Sequence, residues 1–145
     1  MKPFRNLAIA RNILIAAGAY YLAAWITFPL ALGFDKLTQG IIYSGDYEST
    51  VVMPLVQHLP KALMAAAVGA AVVWLVESRR PVRWVLFPVI LYAVLGFLGY
   101  HWGRPPVLLD RVEQAVGALF PALSCAFGGV LGTYALTKSG GEVRG

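Results

Sequence analysis

The sequence predicts an all-α membrane protein: four transmembrane helices forming an antiparallel bundle of two hairpins, with both termini cytoplasmic. Three observations carry that expectation. The chain of 145 residues is 59% hydrophobic and only 13% charged, with a mean hydropathy of +0.68. A soluble domain carries about 25% charged residues, so half that charge cannot cover the surface of so small a domain. The apolar residues are also gathered into runs long enough to cross a bilayer, separated by short polar connectors. Finally, basic residues gather at the ends of those runs on alternate connectors. The net charge of +5 and pI near 9.6 therefore read as membrane topology and not as a nucleic-acid surface.

The first span covers roughly residues 9–34, preceded or entered by Lys2, Arg5 and Arg11. Its apolar run exceeds the roughly 7–15 residues of a signal-peptide core, so it reads as a retained span. Ala19 and Ala23 share a face and permit close helix approach. Tyr20, Tyr21 and Trp25 sit deeper than an interfacial belt and are expected to pack against neighbouring helices, their polar groups bonded internally. An outer loop over residues 35–50 follows, with a turn at Ser44-Gly45-Asp46. Within it, residues 37–43 could form a short interfacial helix.

The second span covers residues 51–76, with Ser49 or Thr50 as N-cap types. Pro60 should kink or break it. Its inner part, Ala65-Ala66-Ala67-Val68-Gly69-Ala70-Ala71, is almost entirely small, which suits a helix surrounded by other helices. Ala65 and Gly69 are the packing residues expected there. The cytoplasmic turn, residues 77–83, holds Glu77, Ser78, Arg79, Arg80, Pro81, Val82 and Arg83. It forces its flanking runs into a hairpin. Its arginines mark the cytoplasmic side and face anionic headgroups, or alternatively dock a cytoplasmic partner.

The third span covers residues 84–102, bracketed by Trp84 and Trp102 as interface anchors, and is rich enough in Leu, Val and Phe to face lipid. The fourth covers residues 110–136, with Asp110 as a cap and Glu113 favoured by the helix dipole. Ser124, Gly128 and Gly132 recur at four-residue spacing, as do Cys125 and Gly129. This stripe predicts tight contact with the second span or with another protomer. Pro121 should bend the helix, and residues 138–145 form a polar tail. Phe-Pro occurs at Phe28-Pro29, Phe87-Pro88 and Phe120-Pro121. The prolines lie at unmatched depths, which argues against a duplicated hairpin. On this topology eight of the twelve basic residues are cytoplasmic, while five of the seven acids are on the other side. The localisation that follows is the cytoplasmic (inner) membrane, multi-pass.

No catalytic signature occurs: no phosphate-binding loop, His-Glu-x-x-His, Gly-x-Ser-x-Gly or Cys-x-x-Cys. The first span lacks the embedded acid of small multidrug transporters. The single cysteine, Cys125, can form no internal disulfide. One constellation stands out at the outer membrane level: Gln57, His58 and Lys61 opening the second span, His101 and Arg104 closing the third, and Asp110, Arg111, Glu113 and Gln114 opening the fourth. Lys61 is expected to pair with Glu113 or Asp110, because ionisable groups near hydrocarbon need partners. Gln57 and Lys61 share a face by their spacing. The histidines and carboxylates could move a proton or bind a metal. The plainer reading is that polar residues suit helix ends and that Lys61 snorkels, so no metal site, cofactor or catalytic residue is assigned. The histidines lie too near helix ends for haem.

The function expected from this pattern is a non-catalytic accessory, assembly or interaction subunit of a membrane complex. Its partners would be membrane lipids together with other membrane subunits or copies of itself. The alternatives are a small oligomeric transporter or channel using the outer polar cluster, and a membrane enzyme acting on a lipid-linked substrate.

Overall fold

The computed structural model describes residues 2–42, 52–76, 78–100 and 108–139, with side chains at 4–34, 36–37, 55–76, 78–98 and 114–139. Ser49, Thr50, His101 and Arg104 lie outside these residues, as do the tail from residue 140 and the side chains of Asp110, Arg111 and Glu113. Every described element is an α-helix: α1 (Lys2–Ile42), α2 (Val52–Gln57), α3 (Leu59–Leu75), α4 (Val82–Tyr100) and α5 (Leu108–Lys138). Two apolar stretches reach membrane-crossing length by composition, Phe4–Phe34 in α1 and Gln114–Lys138 in α5. Two shorter apolar stretches, Leu59–Leu75 and Val82–Leu98, accompany them.

The α1 helix runs unbroken through Pro29 and includes residues 35–42, the start of the segment expected to be a loop. No separate interfacial helix begins at residue 37. Nothing in Asp35-Lys36-Leu37-Thr38-Gln39 stops a helix, since neither proline nor a run of glycines intervenes before Gly40. The second apolar stretch does divide, into α2 and α3, at His58. Pro60 then occupies the first turn of α3, where its missing N–H forfeits no intrahelical bond. The His58 carbonyl accepts the Ala62 N–H at 2.9 Å, so the chain re-enters helix at once. At the other end, the Val76 N–H closes on the Val72 carbonyl at 3.0 Å, and Val76 leaves in extended conformation. α4 begins after Pro81, and α5 begins at Leu108, which puts Asp110 inside the first turn instead of at the cap.

α3 packs against every other helix, and its largest interface is with α5. The two meet through backbone. A methyl group on Gly69 would collide with the Cys125 carbonyl and lie 2.7 Å from the Gly129 nitrogen. One on Gly128 would collide with the Ala66 carbonyl and lie 2.7 Å from the Ala66 Cα. Gly132 rests against Ala70 less tightly, a methyl group there lying 3.1 Å from the Ala70 Cα. Contacts advancing together, Ala66 with Gly128 and Ala70 with Gly132, mean that α3 and α5 run parallel. α4 opposes α5: Val85 packs on Gly129 and Gly96 on Ala118. The closest pairing is thus between helices separated in sequence by a whole helix, and not within a sequential hairpin.

The core around this contact is small-grained: Ala16, Ala23, Ala65, Val68, Val72, Val73, Val85, Ala122 and Cys125, with Tyr92 the largest member. The big residues are outside. Leu14, Trp25, Phe28, Leu63, Trp74, Leu86, Leu123 and Phe127 are all exposed. α1 attaches along one line, Asn12, Ala16, Ala19, Tyr20 and Ala23, against α3 and α4. Tyr20 meets Tyr92 edge to face, ring centroids 4.7 Å apart. Tyr21 and Trp25 differ from expectation. They lie on the opposite face, 62% and 67% exposed, in edge contact with each other. A helix advances about 100° per residue, so a face that buries Tyr20 turns Tyr21 outward.

Gly128→Val and Gly69→Val should each lower stability by about 1–3 kcal/mol or abolish folding, because the clash is with rigid backbone. Gly18→Ala meets nothing within 4 Å and should stabilise by up to about 1 kcal/mol through helix propensity. Thermal unfolding of the three purified variants checks the contrast.

Candidate functional site

The outer polar residues that the structure describes are gathered where α2 gives way to α3 beside the start of α5. Gln57, His58 and Lys61 are each half-buried there. The break at His58 interrupts the helix that would have kept Gln57 and Lys61 on one continuous face. His58 lays its imidazole across α5: a methyl group on Gly117 would lie 2.9 Å from Nε2 and 3.0 Å from Cε1. Glycine at 117 is what lets the ring sit so close. Lys61 reaches the same place, its Nζ donating to the Gly117 carbonyl at 3.4 Å, a long bond. The structure thus brings His58 and Lys61 together over one turn of α5. It gives Lys61 a backbone carbonyl as partner, and the expected pairing with Glu113 or Asp110 falls on side chains outside the described residues. So do His101 and Arg104.

Next to this cluster lies Gln114, one of the polar residues expected to open the last span. Gln114 is buried, 6% exposed, and its amide donates to the Phe97 carbonyl on α4 at 3.0 Å. It ties the last turns of α4 to the early part of α5. Two further buried polar groups lie deeper. The Oδ1 of Asn12 and the hydroxyl of Tyr92 are enclosed, and no described group hydrogen-bonds them. The signal for Asn12 was available in the sequence, as an amide four residues before Ala16 on the alanine face. Tyr92 had no such signal, since its burial depends on Tyr20 arriving from α1. Threonines in the apolar stretches satisfy themselves locally: Thr27 donates to the Ala23 carbonyl at 2.6 Å and Thr133 to the Gly129 carbonyl at 2.9 Å.

Of the residues expected to mediate helix packing, Gly69, Gly128 and Gly132 lie at the α3–α5 contact. Ala65 is fully buried, Gly69 and Gly128 form the close approaches, Gly132 sits on Ala70, and Ser124 is half-buried one turn before Gly128. Cys125 is a free, fully buried thiol held beside Gly69. Its enclosure removes the access that thiol chemistry requires. Among the described residues no three His, Cys, Asp or Glu side chains come close enough to hold a metal. A second polar region lies at the other end of the bundle. There Ser78, Arg79, Arg80, Arg83 and Trp84 line a cavity of about 420 Å³.

Compared with known protein families, with characterised sequences and with solved structures, the chain matches none.

Gly117→Val should displace the His58 ring and lower stability by about 1–3 kcal/mol. Lys61→Ala should cost less than about 1 kcal/mol, since it loses one long, half-exposed hydrogen bond. Thermal unfolding in detergent micelles, scored by helical circular dichroism, measures both.

Proposed function

We propose that this chain is a small polytopic protein of the cytoplasmic membrane, with four spans and both termini inside, that acts as a non-catalytic accessory or interaction subunit. The membrane part rests on where the large apolar residues lie. Leucines, phenylalanines and tryptophans cover the outside, while alanine, valine, asparagine and glutamine fill the inside. That distribution is costly in water, where exposed apolar patches larger than a few hundred Å² are rare. It is natural in lipid, where helices associate through small residues and internal polar groups. In this reading α1 is the first span, α2 and α3 the broken second, α4 the third and α5 the fourth. The basic turn between α3 and α4 then faces the cytoplasm.

The observation that carries the subunit role is the state of α1. Only 11% of its apolar window is buried. Phe4, Leu7, Leu14, Tyr21, Leu22, Trp25 and Phe28 are all exposed. The small-residue stripes of α3 and α5 are consumed by each other, so they no longer call for an outside helix. α1 keeps more open contact surface than α5, whose apolar stretch is 44% buried. Its Tyr21–Trp25 pair offers rigid aromatic area at depth, the chemistry that dominates interface energetics.

A second reading, a small oligomeric transporter, is favoured by one feature: the helix break at His58 with Lys61 turned to the α5 backbone. Broken helices carrying polar groups mark solute paths in transporters.

Mild-detergent purification with native mass measurement tests the first reading. A stoichiometric foreign subunit is expected, lost in Tyr21→Ala/Trp25→Ala while the protein remains folded. A monomer without partners would overturn it. A homo-oligomer whose proteoliposome flux disappears in Lys61→Ala would establish the second reading in its place.

A further inference from the structure

Among the described residues, the cavity at the cytoplasmic turn is lined by one short stretch of chain, residues 78–84. It is an open depression of about 420 Å³ at the surface, roomy enough to admit a small anion. Three of its five lining residues are arginines, and the turn as a whole carries one acid, Glu77, against them. Like charges this close repel, and a bound anion would relieve that repulsion.

The turn is built to hold its arginines in place. The Arg80 N–H donates to the Ser78 hydroxyl oxygen at 3.3 Å. The Arg83 N–H donates to the Arg80 carbonyl at 3.2 Å, and the Trp84 N–H to the Pro81 carbonyl at 3.0 Å. These three-residue closures set Arg80 and Arg83 one above the other, as in a 3₁₀ turn. Pro81 fixes the backbone between them. Ser78 uses its oxygen as acceptor, which leaves its hydroxyl proton for another acceptor. Trp84 packs against the core on one side and walls the cavity on the other. α4, 19 residues long, begins at the cavity and points the positive end of its dipole there.

We infer that residues Ser78, Arg79, Arg80, Arg83 and Trp84 form a binding site for a single phosphate group. The guanidinium is the side chain whose planar fork matches phosphate oxygens two at a time. The hydroxyl of Ser78 supplies a further donor, and the positive end of the α4 dipole adds favourable potential. The concave shape and small volume fit a headgroup-sized anion, whereas an acidic protein segment would need a longer basic track. The phosphate comes either from an anionic phospholipid headgroup, with Trp84 at the interface beside it, or from a soluble phosphate compound. The lipid source rests on the membrane reading above, and the soluble source does not.

The full chain in micelles is titrated with phosphatidylglycerol, with phosphatidylcholine and, separately, with inorganic phosphate. Binding is read by native mass spectrometry and by ³¹P line broadening. Wild type is expected to retain one anionic ligand. Retention of phosphatidylglycerol over phosphatidylcholine identifies a headgroup; broadening of inorganic phosphate without lipid selectivity identifies the soluble source. R79Q/R80Q/R83Q should bind at least about tenfold more weakly. R79K/R80K/R83K keeps the charge and the topology signal, so it should fold as wild type yet bind severalfold more weakly for want of the guanidinium fork. Binding in neither titration would overturn the site. So would binding by the Lys or Gln variant equal to wild type, or binding of an acidic peptide in place of both phosphates. Failure of the lipid titration alone, with phosphate still bound, would count against the membrane reading and leave the site standing.

Discussion

The backbone contact between α3 and α5 is the constraint on which the rest of the molecule depends. Two parallel helices approach until only hydrogen fits between Gly69 and the Cys125 carbonyl, and between Gly128 and the Ala66 carbonyl. At that separation no large side chain can lie in the seam. The core is therefore alanine, valine and one cysteine, and leucines and phenylalanines are displaced to the flanks. α4 then fills the groove beside the seam, with Val85 seated on Gly129. A long row of dispersion contacts between closely spaced backbones replaces the interlocking of bulky side chains. In lipid, where burying a leucine gains nothing, this form of packing remains effective.

The two ends of the bundle are finished differently. At the end where α2 gives way to α3, polar side chains are used to fasten helices: Gln114 bridges to the Phe97 carbonyl, Lys61 reaches the Gly117 carbonyl, and His58 covers Gly117. The α2–α3 break belongs to this end, because Pro60 needs a helix start and His58 provides the bend. At the opposite end, the polar groups face outward. The turn after Val76 folds its hydrogen bonds inward and holds its arginines out around a cavity. The same chain thus carries internal polar fastening on one side and a charged, solvent-accessible basin on the other. α1 lies along this assembly on a single alanine line and contributes little buried surface.

Much of this was legible in the residues. The helical class followed from unbroken apolar runs, and the α3–α4 turn from Ser78, Pro81 and the arginines. The division near Pro60 was read from that proline, although Pro29, Pro88 and Pro121 lie inside unbroken helices, so a proline alone does not place a break. The glycine and alanine stripes on the two helices were equally plain. Their mates were not, because a small-residue stripe states that something comes close without saying what. Tyr21 and Trp25 were placed inward because depth along a helix can be read from sequence and rotation about its axis cannot, when the helix is apolar all round. The extent of α1 past Phe34 was missed for a related reason. Polar composition was taken for a loop, although Asp35 to Gln39 carries no residue that ends a helix.

The sequence by itself determined the helical class, the division near Pro60, the residues able to pack closely and the connector in which the arginines gather. These are local properties, fixed by backbone chemistry and by spacing along the chain. The tertiary structure alone decided that the helix of residues 59–75 takes the last helix as its closest neighbour in parallel, that Tyr20 and not Tyr21 faces inward, and that Lys61 meets a backbone carbonyl. Each of these depends on which surfaces meet in space. With apolar side chains on every face, the deciding factor is steric: the pair of helices that can come closest does so, and the others arrange themselves around it.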